Sequence, residues 1–151
     1  MKHIYCEMIS EGGDQALELI ESMNPACSGL VRKKVEAGAV VEAAEDRELA
    51  DESMDWQRCL LMGFLSQKAA DMVSQFYLEA VRKRYAHMSQ VISETLLAGE
   101  AGLLLVHEGN MVQYPAGVEV FSVSPPALDE VHRWLRERQA AAAPGQEAAG
   151  E

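Results

Sequence analysis

The chain has 151 residues, 48% of them hydrophobic, which is enough for one domain with a real core and too short for two comfortable ones. Its 24 acidic and 13 basic residues leave a formal charge of -11. That balance excludes nucleic acid or an anionic membrane surface as a partner held by net charge.

The first segment, HIYCEMI over 3–9, is rich in β-favouring residues and predicts a strand ending near Glu7 and Met8. A turn through Gly12 and Gly13 leads to Asp14, which can cap a helix over 14–23 with Ala16, Leu17, Leu19 and Ile20 inward. Asn24-Pro25 is a second start signal, because Asn caps free N–H groups and Pro fits the first turn; this helix is expected over 25–37, ending at Gly38. Residues 39–44 predict a short strand parallel to the first, since a helical connection separates the two. The following acidic run, from Glu42 to Asp55, suits a solvated helix start, and the apolar segment 56–65 predicts a helix that breaks near Gly63.

The central feature is a helix expected over 67–98, with an apolar stripe at Ala69, Met72, Val73, Phe76, Ala80, Met88, Val91, Ile92 and Thr95 that Arg84 interrupts. Gly99 can close it in the left-handed conformation. Residues 101–107 then predict a strand buried on both faces. A polar loop over 108–117 precedes an alternating segment, 118–123, expected as a fourth, partly exposed strand. Ser124-Pro125-Pro126 starts a last helix to about 139, with Leu128, Val131 and Leu135 as its buried stripe. The expectation is an α/β fold: a small, mostly parallel sheet of about four strands packed by helices, with a long central helix. Residues 1–139 form the single domain, and 140–151, rich in Ala, Gly and Glu, form a disordered tail.

Cys6, Cys27 and Cys59 show no ligand spacing, and an odd number cannot all pair internally, so reduced thiols in a cytoplasmic protein are expected. The N-terminus lacks an apolar core of signal-peptide length, and no apolar run reaches membrane-spanning length. His107-Glu108 opens like a zinc-binding HExxH motif, but position 111 is Met and the pair leaves a strand, so no metal site is expected there. No GxSxG elbow or phosphate loop is present.

Ligand sites in open α/β sheets gather beyond the carboxyl ends of the strands. Those ends bring Glu7, then Glu45 and Asp46, then His107, Glu108 and Asn110, then residues 122–124. Arg84 on an apolar stripe needs a carboxylate or an anionic ligand. Its cluster with Glu45 and Asp46 is either a ligand site or a structural ion pair between helix and sheet. Arg82-Lys83-Arg84 is either surface charge or a draw for an acidic partner, including residues 42–55 of a second copy.

The pattern Arg84, His87-Met88, Ile92, Glu94-Thr95-Leu96, Gly99-Glu100 and Gly102 to Val106 resembles the late part of the TraB/ChaN-like group, which includes the erythromycin esterases. The resemblance spans about 76–123, and Ala44-Glu45-Asp46 is similar to an acidic strand end in such proteins. It implies an α/β fold with a polar site at the strand ends, here Glu45, Asp46, Arg84, His107 and Asn110. Here His107 and Glu108 stand where small residues are expected, and Asn110 stands near the expected histidine. Asn is neither a base near neutral pH nor a replacement for imidazole as a ligand. The expected function is therefore a ligand-binding or protein-interaction module with a degenerate site. The alternatives are a hydrolase using Glu45, Arg84 and His107, and a homo-oligomer formed through helices 56–65 and 67–98.

Overall fold

A computed structural model describes residues 1–142, which fall into two compact units dividing after Gly117. The first contains β1 (His3–Cys6), α1 (Gly13–Met23), α2 (Pro25–Glu36), β2 (Val40–Glu42), α3 (Arg47–Leu61), α4 (Gln67–Thr95) and β3 (Gly102–Leu105). The strands form one parallel sheet in the order β2-β1-β3, with Ile4 paired to Val41 on one side and Leu103 on the other.

Side chains alternate across a strand, so β1 serves two cores. Ile4 points into one with Ile9, Ala16, Ile20, Val31 and Val41, built by α1 and α2. Tyr5 points into the other with Ala44, Tyr85, Met88, Ile92 and Val112, built by α4. Leu103 and Leu105 join the first core and Leu104 and Val106 the second, as expected for a strand covered on both faces. The Tyr5 hydroxyl lies 2.8 Å from Thr95 Oγ1, which itself donates to the Val91 carbonyl at 2.7 Å, so Tyr5 is the donor. This bond ties the central strand to the last turn of α4.

Most start signals act as expected, but Asp14 does not cap α1: it lies inside the first turn, after Gly12 at the cap position, where no side chain bonds the free amides. The Asn24 and Ser66 side chains accept from the Cys27 and Ala69 amides, and Pro25 stands at the head of α2. Gly38 takes φ of 94° just past the end of α2, but α4 stops at Thr95 with Leu96 as its cap, short of the expected 98, and Gly99, φ 82°, lies in the turn that follows. No helix among the described residues is long and apolar enough to cross a membrane. Cys6, Cys27 and Cys59 are all free, and burial pushes the Cys6 thiol up to about 11.

Several expectations need correction. The sheet has three strands, and residues 118–123 form none of them; Phe121 and Val123 are 77% and 92% exposed. Alternation marks a segment able to lie on a sheet surface, but it does not provide a neighbouring strand to bond to. The helix expected over 56–65 begins at Arg47, because Asp46 caps it and the acidic run forms its first turns. In α4 only the half from Ala80 onward is buried, so Met72 and Phe76 do not face the core.

The second unit holds an irregular stretch from Val118 and α5 (Pro126–Ala142), where the Arg138 guanidinium lies 4.8 Å from the Trp134 ring centre. Val131 and Leu135 are exposed there, not buried, since this unit has no second helix among its described residues. The helix also runs through 140–142, which were expected in the tail; the remaining tail residues lie outside the described ones.

Candidate functional site

The carboxyl ends of β1 and β2 each deliver an acid, and α4 crosses that edge with its one buried cation. Arg84 and Glu45 are almost fully enclosed, with side chains 8% and 1% exposed. Arg84 Nε donates to Glu45 Oε2 at 2.8 Å, and its Nη2 donates to Glu45 Oε1 and, at 3.0 Å, to Glu7 Oε1. Glu45 also accepts the Met8 amide at 3.1 Å. Such a fork-to-carboxylate pairing fixes orientation as well as charge. Met8 holds a positive φ of 70°, which is uncommon for a side chain without a short polar group and marks the sharp turn by which the chain leaves β1.

Glu7 is the centre of the cluster. Its carboxylate accepts from Arg84, from the Tyr85 hydroxyl at 2.8 Å and from the His107 backbone amide at 2.9 Å. The His107 ring Nδ1 lies 2.7 Å from Glu7 Oε2. Burial would raise the Glu7 carboxyl, but the bonds from His107 and Tyr85 and the Arg84 charge outweigh it and hold Glu7 below the usual range. Burial, then the bond to Glu7, pushes the Tyr85 phenol well up, so it stays protonated and donating. Burial disfavours the Arg84 charge, yet the bonds to Glu45 more than restore it and raise the guanidinium further.

Because a carboxylate can only accept, Nδ1 of His107 carries the proton in this contact. Nε2 is then left with its lone pair in the neutral ring, and the side chain is 59% exposed. A carboxylate behind one imidazole nitrogen sets the tautomer and the orientation of the ring. This edge can therefore accept a hydrogen bond or a proton at His107, while Glu45 and Arg84 below it are occupied with each other. No buried polar side-chain atom among the described residues lacks a partner.

Of the five residues expected at the site, Glu45, Arg84 and His107 converge through Glu7. Asp46 does not join them; its Oδ1 accepts the Leu49 amide at 3.0 Å as the cap of α3. Asn110 shapes the loop instead, donating to the His107 carbonyl at 3.0 Å and accepting from the Val112 amide at 3.3 Å. Both side chains satisfy backbone groups nearby, which is what Asp and Asn do most readily. Arg82-Lys83-Arg84 is not a surface triplet, because Arg84 is buried.

Glu7 and Tyr85 were missing from the expected set. Glu7 follows the central strand, the position flanked by both other strand ends, and Tyr85 follows Arg84 on α4. The loop after β3 is anchored by buried Val112 and by the Gln113 amide donating to Ser89 Oγ at 2.9 Å, and it leaves Met111 and Tyr114 exposed. A shallow hollow is lined by Glu11, Gln15, Glu18 and Leu19, none of them cluster residues. Among the described residues no three His, Cys, Asp or Glu side chains are grouped to hold a metal ion. Comparison of the chain with known protein families, with curated proteins and with solved structures returns no match.

Proposed function

We propose that the chain is a binding module whose contact surface is the carboxyl edge of the sheet, centred on His107 and the loop that follows it. The buried Glu45–Arg84–Glu7 cluster is the support of that surface and takes no part in chemistry, as a degenerate TraB/ChaN-like site would do. The observation that carries this reading is the mutual saturation of the ions: Arg84 and both carboxylates bond each other under cover, while His107, which bonds Glu7, is itself exposed. Exposed Met8, Met111 and Tyr114 supply apolar and adaptable contacts on the same turn and loop. With a formal charge of -11, the fitting ligand is a basic protein segment that carries apolar residues.

A second reading, a hydrolase, is favoured by one specific observation, the 2.7 Å contact that would make Glu7 and His107 a carboxylate–imidazole base. Turnover of an activated ester separates the two. The binding reading predicts that wild-type protein hydrolyses p-nitrophenyl acetate no faster than His107→Ala, while basic peptides shift the backbone NMR signals of residues 7–9 and 107–114. Hydrolysis that falls at least tenfold in His107→Ala would replace the module with the enzyme.

A further inference from the structure

The α3–α4 hairpin continues well past the sheet. Between Met54 and Glu79 no residue is buried, although α3 and α4 pack side by side there and Trp56 stacks on Phe76 with ring centres 5.0 Å apart. The 13 residues of α4 before Ala80 reach about 20 Å at 1.5 Å per residue. Two helical segments with no buried residue lack the packed face from which helices in proteins draw most of their stability. The tip and outer face show Leu61, Met62 and Leu65 at 82%, 86% and 110% exposure, and Met72 and Phe76 at 47% and 44%. Large apolar side chains exposed in this number on one arm mark an interaction site.

Charge selects the occupant. On a chain of -11, this arm is almost balanced, with Asp55, Asp71 and Glu79 against Arg58 and Lys68. Two copies therefore meet least repulsion arm to arm. The arm is also self-complementary. Met72 and Phe76 are one helical turn apart, and Lys68 and Glu79, separated by three turns, flank them on the same side. A two-fold axis between Met72 and Phe76 places Met72 of one copy against Phe76 of the other, and Lys68 against Glu79, in an isologous antiparallel contact. Lys68 makes no ion pair among the described residues, and Glu79 otherwise meets only its neighbour Lys83, at 2.7 Å.

We infer that the distal α3–α4 arm is a docking surface for a second copy of this chain, two arms packing antiparallel as a four-helix bundle. This contact is independent of the strand-edge surface.

Sedimentation velocity of the full chain across a concentration series tests it. Wild-type protein is expected to pass from monomer to dimer, and Met72→Lys to stay monomeric with an unchanged helical circular-dichroism spectrum. Lys68→Glu and Glu79→Lys should each raise the dimer dissociation constant roughly fivefold, from two symmetric pairs, and the double variant should return it toward wild type. If Met72→Lys fails to fold, the charge swap carries the decision. A wild-type monomer at every concentration, a dimer that withstands Met72→Lys, or charge-swap effects that add instead of cancelling would each overturn the inference.

Discussion

Arg84 is held by what surrounds it more than by what it binds. A guanidinium this enclosed is stable only while both of its carboxylates remain, and they only while it remains. Replacing Arg84 with Met keeps much of the volume but strands Glu45 and Glu7, and urea denaturation is expected to show a loss of about 3 kcal/mol. Adding Glu45→Gln to that variant should recover part of the loss, because one of the two uncompensated charges is gone. A loss in Arg84→Met below about 0.5 kcal/mol, the range of surface substitutions, would place the cluster in solvent. Asp46→Ala belongs to a different mechanism, removal of a helix cap. It should cost about 1 kcal/mol and leave the NMR signals of the loop after His107 in place.

At the scale of elements, what was legible in the sequence was the local chemistry that starts, stops and buries them. Asn24-Pro25 and Gly38 mark helix ends at or near their true positions, Gly99 marks the turn beyond α4 instead of its end, and the unbroken apolar run after Gly102 marks a strand with both faces covered. Glu45, Arg84 and His107 were legible for a related reason, since strand ends collect polar groups and a cation on a buried stripe must find an acid. The remainder needed tertiary information. Alternation in 118–123 carries no record of a missing neighbour strand, and the stripe at Met72 and Phe76 looks the same whether a sheet or solvent lies beyond it. Glu7 gains its role only once β1 is known to be the central strand. A test at this scale is Gly99→Ala. With φ at 82° the added Cβ is strained, and a thermal melt should show about 1 kcal/mol of lost stability without loss of α4 itself.

Across the whole first unit, the Glu7 cluster ties strand ends to α4 and the His3 cluster ties β1 and β2 to the turn before β3, and the two respond oppositely to pH. His3 lies between Glu42 at 2.7 Å and Glu100 at 3.2 Å, and the bond to Glu42 above all raises its pKa from 6.5. Its contribution is therefore complete below pH 6.5 and is lost as pH rises through the higher folded value. Glu7 has the reverse sign: its lowered pKa gives stability that is present above 4.5 and lost as pH falls through the folded value. Melting temperature should thus decline on the alkaline side of pH 6.5, and His3→Gln should remove that decline while leaving the acid limb intact. An unchanged alkaline limb in His3→Gln would assign it to other groups.

The central claim is that the buried cluster fixes His107 with Nδ1 protonated against Glu7 and Nε2 turned outward. Long-range proton–nitrogen NMR of the neutral imidazole tests it most directly. The Nδ1–H tautomer is expected for His107 in wild-type protein, with a shift toward Nε2–H in Glu7→Ala. An Nε2–H ring in wild-type protein, or a tautomer indifferent to the loss of Glu7, would contradict it.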